Sequence, residues 1–463
     1  MSSSKMDSSF FDTLAKDVSG PVILKGESNY EEFRKGWNGF FDKFPAAIVR
    51  CETEEDVVQS VEFVKKHDLP FSVRSGGHDY AGKSICDGGL VVDLSLMKSI
   101  EIDTAEEVAI VGPGVRWGEF DEAAQEHGLA TTGATVSTVG IAGYTLGGGT
   151  GYLARKHGLA LDNLLSARIV TASGEAVLAN EHHNQDLFWA IRGGGGNFGI
   201  VTSFEFQLHE TGPEIMAGQV VFPIKQAGDV LRFYREFMED APDELTCYAF
   251  FLNAPPIDAF PEKFHGKPVL SLVIGHTGDI KTATKELSPL LNFGDPMLNA
   301  VEPMPYTTAQ KMFDEGMASG NRWYSKAHYM NEISDAAINT VLEHTEQIAG
   351  ALSVAYFEPM GGKINRVEPE LTAFPHRDAA YSLHIFAGWP ESAPDEEPMN
   401  WVKEFHTAMS PYSSGGVYVN LMGQDEERRI PDAYGSNYER LKKIKKEWDP
   451  HNLFRSNQNI EPA

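Results

Sequence analysis

The sequence is short of cysteine, of positive charge and of long apolar runs, and each shortage excludes a class of function. Its 463 residues hold three cysteines, Cys51, Cys86 and Cys247. Three cannot build a disulfide framework, and none falls in a Cys-x-x-Cys pair that would hold a metal or run redox exchange. A reducing compartment is therefore expected. Lys and Arg number 39 against 66 Asp and Glu, a formal charge of −27. Nucleic acids and anionic bilayer surfaces are both bound through clustered basic side chains, so neither is an expected partner. The one basic run, 442–446, sits among Glu439, Glu447 and Asp449 and reads as a solvated helix face. No apolar stretch approaches the ~18 residues of a membrane span. A basic region followed by an apolar leader is also missing, so a cytoplasmic location is expected. Self-similarity at the ~20–50-residue period of solenoids and propellers is absent as well. Disorder is expected only at the polar, Ser-rich residues 1–9.

What is present is an ordinary globular composition, 42% apolar and 23% charged, which suffices for a sizeable core in two or three domains. Three textures follow one another. Residues 1–209 alternate short β-branched segments with glycine-rich turns and a few helices. Thr53-Glu-Glu-Asp56 predicts a capping box ahead of a helix carrying Val57, Val58, Val61 and Val64 on one side. Strands are expected at 71–74, 90–94 and 108–111, a helix at 117–127 stopped by Gly128, and a hairpin around Ser173-Gly174. Residues 210–410 are richer in Pro, Phe and Met. Strand-like 268–275, 354–358 and 380–389 alternate with helix-like segments such as 336–347, which predicts an antiparallel sheet backed by helices. Residues 411–463 carry Gly416-Val-Tyr-Val-Asn420. A helix is then predicted from the capping box Ser436-Asn-Tyr-Glu439, with Tyr438, Leu441, Ile444 and Trp448 at helical spacing and Asp449-Pro450 as its stop. The fold class is α+β.

Gly194-x-Gly196-x-x-Gly199 matches the dinucleotide fingerprint letter for letter. That fingerprint requires a helix next, because the helix N-terminus holds the pyrophosphate. Here Ile200-Val-Thr-Ser-Phe-Glu-Phe206 follows, an alternating β-branched strand pattern, so the motif is a glycine turn and not a Rossmann site. Gly147-Gly-Gly-Thr-Gly151 and Arg74-Ser-Gly-Gly-His-Asp-Tyr80 are two further glycine runs. Successive glycines let backbone N–H groups approach an anion without side-chain obstruction. Three such runs together point to a large phosphorylated cofactor cradled by main chain. The second run also sets a histidine, His78, at the lip of a backbone nest, and a neutral imidazole beside a cofactor ring is a nucleophile.

Arg74-Ser-Gly-Gly-His-Asp-Tyr80 resembles the flavin-attachment motif of the vanillyl-alcohol-oxidase, or PCMH-type, FAD-binding fold. More narrowly, it resembles the berberine-bridge-enzyme-like branch. Trp117-Gly-Glu, Ser137-Thr-Val-Gly140, Thr145-Leu-Gly-Gly-Gly-Thr-Gly-Tyr152, Lys156-His-Gly-Leu159, Asp162-Asn-Leu-Leu165, Leu187 through Gly199, and Phe454-x-x-Asn457-x-Asn459-Ile460 are similar to the same branch. The resemblance covers about residues 45–210 and 410–463; the middle matches loosely.

This resemblance implies an FAD domain of two α/β subdomains from the first and last stretches and a substrate domain, 210–410, over the flavin. It implies FAD bonded to His78. It further implies cofactor contacts from Arg74, Ser75, Gly76, Gly77 and Asp79, from Gly133, Val136, Thr138, Val139 and Gly143, from Gly148, Gly149 and Gly151, and from Ile200, Val201, Asn420, Asn457 and Asn459. Many relatives carry a cysteine where Val136 stands and make a second flavin bond with it; valine cannot, so single attachment is expected. Relatives also carry a tyrosine where Leu421 stands, and it assists deprotonation; another base is needed here. Glu358, on one strand face with Tyr356, and His384, on the face opposite Leu383 and Ile385, are the candidates, with Tyr80 and Tyr418 bordering the ring. Trp323, Tyr324, Phe357 and Trp389 are candidate aromatic platforms as well as core residues. Val139 leans toward reaction with oxygen. The expected activity is oxidation of an alcohol, hemiacetal or amine carbon of a small molecule with O2 as acceptor and no metal. The competing readings are a dehydrogenase with another acceptor and a non-catalytic ligand binder on the same fold.

Overall fold

The computed structural model describes residues 8–258 and 260–463. The N-terminal expectation of disorder falls largely on residues 1–7, outside the described ones; Ser8–Phe11 form a 3-10 turn. The capping box at Thr53 forms with both of its hydrogen bonds, and it starts the helix Glu54–His67. That helix buries Val57, Val61 and Val64 against a four-stranded sheet ordered Val22–Leu24, Ala47–Arg50, Leu90–Asp93, Phe71–Arg74. The last three strands are parallel, so Phe71–Arg74 ends at the same edge as its neighbour and delivers the following glycine loop there.

A second sheet runs Ile100–Asp103, Val108–Val111, Ile200–Gln207, Leu164–Val170, Ala176–Asn180, all antiparallel. The glycine turn of 194–199 therefore opens a strand, as its alternation requires. Trp117–Gln125 is a helix, and Leu164–Val170 with Ala176–Asn180 is the expected hairpin.

The third sheet has eight antiparallel strands within 214–389. Its central order is Glu214–Pro223, Pro268–His276, Leu245–Asn253, Val354–Pro359, Tyr381–Trp389, Arg322–Met330. Alternation splits each strand. Cys247, Ala249, Phe251, Leu383, Ile385 and Ala387 pack under the helices Ala227–Glu239, Ile280–Leu291, Asp335–Thr345 and Glu396–Met409. The intervening residues face the other way.

After this sheet the chain returns to the first region. Leu441, Ile444 and Ile460 join the core of Trp117 and Phe206. The Lys445 ammonium is fully buried, yet it donates to Asn197 O, Phe454 O and Asp449 Oδ2 at 2.7, 2.8 and 2.7 Å. A buried charge needs such saturation, and here it ties the C-terminal segment to the 194–199 turn. One local expectation fails. The helix begins at Tyr438 without a side-chain cap, and Ser436, the expected N-cap, lies inside the 3-10 turn Gly435–Asn437 that leads into it. Asn437, which stands at the N-cap instead, donates through Nδ2 to Pro369 O and Thr372 O. No helix among the described residues is long and apolar enough to cross a membrane, and the three cysteines are free.

Candidate active site

A cavity of about 800 Å³ lies between the glycine loops and the open face of the eight-stranded sheet. Its bed is main chain. Arg74 ends its strand with the guanidinium turned inward to Asp93, 2.5 Å away, which fixes where the loop 75–80 starts. Gly76 then meets Gly140 backbone to backbone: a Cβ on Gly76 would stand 2.4 Å from Gly140 N. Gly77 follows at φ +69°, left-handed backbone that a Cβ disfavours. Asp79 closes its own turn, its carboxylate accepting from the N–H groups of Ala81, Lys83 and Ser84.

This loop presents His78. The imidazole stacks on Trp37 with ring centroids 4.0 Å apart, and its Nε2 meets Thr138 Oγ1 at 3.1 Å. Its accessible edge faces the cavity. Burial, aided by Arg116, pushes its pKa down to about 3. The ring is therefore a neutral nucleophile across the physiological range.

Two further groups shape the bed. Tyr418 and Asn420 clamp the Gly147–Gly151 run. The Tyr418 hydroxyl accepts from Gly149 N–H at 2.8 Å and from Asn420 Nδ2 at 3.0 Å, while Asn420 Nδ2 also reaches Tyr144 O. Asn457 borders the opposite end. Its Nδ2 donates to Gly196 O, and its Oδ1 is buried without a partner in the chain. Cβ atoms on Gly143 and Gly196 would meet nothing within 4 Å. An unanswered acceptor, bare glycines and successive N–H groups fit a flat phosphorylated cofactor.

The wall is side chain. Glu358 and His384 are 5% and 1% exposed, and His384 Nε2 lies 3.0 Å from Glu358 Oε2. Tyr356 stacks on His384 at 4.5 Å, Phe250 on Tyr356 at 4.3 Å, and Phe313 on Phe250 at 5.1 Å. Burial raises the hydroxyl pKa of Tyr80, Tyr356 and Tyr418, so these phenols stay protonated and serve as hydrogen-bonding and packing groups.

Of the residues expected to contact a cofactor, Ser75 through Asp79, Val136, Val139, Gly143, Gly151, Ile200, Val201, Asn420 and Asn457 line the cavity, as do Tyr80, Glu358, His384 and Tyr418. Arg74, Gly133, Thr138, Gly148, Gly149 and Asn459 do not. Arg74 is drawn off by Asp93. Gly133 lies beneath the Trp117 ring, and Gly148 against that of Tyr418. Thr138 acts through His78 and Gly149 through Tyr418. The proposed aromatic platforms are elsewhere: Tyr324, Phe357 and Trp389 join the helix-side core, and Trp323 stacks on Trp37. Sequence reasoning missed Trp37, Tyr248, Phe250 and Phe313. The alternation of 245–253 could have put Tyr248 and Phe250 on one face, but not said which face was the cavity's.

Known proteins resemble the chain over nearly its whole length. Residues 45–180 match the family described as FAD binding domain, and residues 417–461 match berberine and berberine like. An FAD-linked oxidoreductase of Dictyostelium discoideum is 31% identical over 453 residues, covering 96% of each chain. The xylooligosaccharide oxidase of Thermothelomyces thermophilus is 28% identical over 483 residues, covering 98% of this chain and 94% of the other. The crystal structure of 6-hydroxy-D-nicotine oxidase from Arthrobacter nicotinovorans superposes with a TM-score of 0.87 at 28% identity, covering 96% of this chain and 98% of that one. A glycine bed able to hold FAD, a histidine at its lip and full-length likeness to such enzymes lead to one conclusion: the chain belongs to the berberine-bridge-enzyme-like family of FAD-linked oxidoreductases.

Proposed function

We propose that the protein is an oxidase that carries FAD on a single bond to His78 and oxidises an alcohol, hemiacetal or amine carbon of a small organic molecule, with O2 as electron acceptor. In this reading residues 1–209 and 411–463 form the FAD-binding domain and residues 210–410 the substrate domain. The observation that carries it is the neutral His78 imidazole, stacked on Trp37 at the lip of the glycine bed. Val136, which lines the cavity, offers no thiol for a second bond.

The main chain of 75–79 and 195–201, with Val136, Val139 and Asn420, would hold FAD, which when bound supplies the two-electron acceptor. The chain supplies the proton handling. With His384 protonated at Nε2, its N–H donates to Glu358 and steadies the carboxylate. Glu358 then takes the proton from the substrate O–H or N–H, a step general bases accelerate by ~10²–10⁴-fold. Tyr248, Phe250, Tyr356 and Phe386 exclude water from that step and offer flat apolar surface. Gln219 and Ser271, the polar groups between them, already bond each other at 2.9 Å. This wall suits an aromatic or otherwise flat substrate better than a sugar, whose many hydroxyls would lose water without gaining partners.

Acid precipitation tests the reading. FAD that stays with wild-type pellets at one cofactor mass, and leaves with His78→Ala, is the expected result; FAD that washes out of the wild type overturns attachment. Air reoxidation of the substrate-reduced protein within seconds is expected of an oxidase, and persistence of the reduced form identifies a dehydrogenase.

A further inference from the structure

His78 is held from a distance. Thr138, which meets its Nε2, belongs to the loop 133–140, and that loop is gripped from two sides. On one side the helix Trp117–Gln125 reaches it: Trp117 N–H donates to Val139 O and Gly118 N–H to Ser137 O, both at 2.9 Å. On the other side stands Asp314, which comes from the segment after the strand Glu302–Pro305 of the eight-stranded sheet. Its carboxylate accepts from Ser137 N–H at 2.8 Å and from Ser137 Oγ–H at 2.6 Å. The same segment is latched twice more. Gln310 Nε2 donates to Asp121 Oδ2 and Ala134 O, and Lys311 pairs with Glu122.

Asp314 thus addresses both hydrogens of Ser137, and the next residue addresses His78. A carboxylate taking two hydrogen bonds from one residue fixes both its backbone and its rotamer, because charge-assisted bonds are the stronger kind. Next to Asp314 in sequence is Phe313, the outer ring of the aromatic wall. One short segment therefore braces the substrate wall and the loop that orients the histidine.

We propose that Asp314, through Ser137 and Thr138, is a positioning residue for attachment of FAD at His78. Thr138 occupies Nε2, so the free nitrogen is Nδ1, and the bond forms there. This rests on the reading of His78 as the attachment site. The Nδ1 lone pair bonds the methyl carbon on the benzene ring of the isoalloxazine, one C–H bond of that methyl breaks, and its two electrons reduce the ring. The methyl hydrogen and the imidazole Nε2 proton both end on the reduced flavin, and O2 reoxidises it to give hydrogen peroxide. Thr138 Oγ1 is the acceptor that holds the proton on Nε2 until the bond forms.

The test is the rate at which added FAD becomes acid-stable on apoprotein, followed beside noncovalent FAD binding and thermal midpoint. Thr138→Val and Asp314→Ala are each expected to slow attachment at least tenfold with noncovalent binding retained, and Thr138→Ser to restore it. Because both act on one imidazole, the double variant is expected to be no slower than Thr138→Val. Peptide mapping by mass spectrometry and NMR is expected to place the bond on Nδ1. Wild-type rates in Thr138→Val, multiplicative slowing in the double variant, or a bond at Nε2 each overturn the relay while leaving attachment intact. A wild type that never retains FAD overturns the attachment reading itself.

Discussion

The bed formed by 75–80, 133–151 and 195–201 and the wall formed by the eight-stranded sheet enclose the same cavity but are built by opposite means. The bed offers main chain. Glycines open it to the cavity, its geometry is set by backbone against backbone at Gly76 and Gly140, and the imidazole at its lip is His78. The wall offers side chains on alternate positions of long strands, and its backbone is spent on sheet hydrogen bonds. A cofactor shared by a whole family is met by the half that side-chain substitution alters least. In the function proposed above, the substrate would be met by the half in which each second residue can change without disturbing the ladder.

Substitutions in the two halves should fail differently. The largest effect is expected from Gly76→Ala. Its Cβ would stand 2.4 Å from Gly140 N, and neither backbone can yield without moving the nest. Overpacking of this kind costs ~1–3 kcal/mol or more, so colourless protein with a lowered thermal midpoint is expected from purification with excess FAD. A yellow, fully loaded protein would break the contrast. Glu358→Gln is expected to do the reverse: normal FAD content and stability, with flavin reduction slowed ~10²–10⁴-fold in anaerobic stopped flow. Wild-type reduction would move the base elsewhere on the wall.

The smallest effect is expected where bed and wall meet. Asp121 is 3% exposed, and burial raises its pKa to about 7 against the opposing bond from Gln310. A carboxyl whose folded pKa is raised stabilises most when protonated. Its contribution is complete below about pH 4 and is lost as pH rises toward 7. Asp121→Asn should flatten the thermal midpoint between pH 4 and 7 and raise it at pH 8. An unchanged pH profile would show that Asp121 stays ionised.

Much of the bed was legible because its chemistry is local. Glycine runs, the histidine after Gly76-Gly77 and the strand after Gly199 lie within a few residues of one another, and backbone strain is a property of short segments. The wall was half legible. Glu358 and His384 were found by alternation within a strand, and Val354–Pro359 beside Tyr381–Trp389 brings them to 3.0 Å. Phe250 and Phe313 lie on separate strands and turns and meet only after the sheet is assembled, so no spacing announces them. The capping box at 436–439 failed because Ser436 falls inside the 3-10 turn Gly435–Asn437 ahead of the helix, which begins only at Tyr438.

The sequence by itself determined the chain's class, its glycine-built cofactor bed, the histidine at its lip and the period of its strands, because each follows from neighbouring residues and from composition. Only the tertiary structure decided which strand face became the wall, that Arg74 turns to Asp93, that Trp37 stacks on His78 and that Asp314 grips Ser137 across 177 residues. Those contacts join distant segments, and their energy exists only once the intervening chain has folded and excluded water from between them.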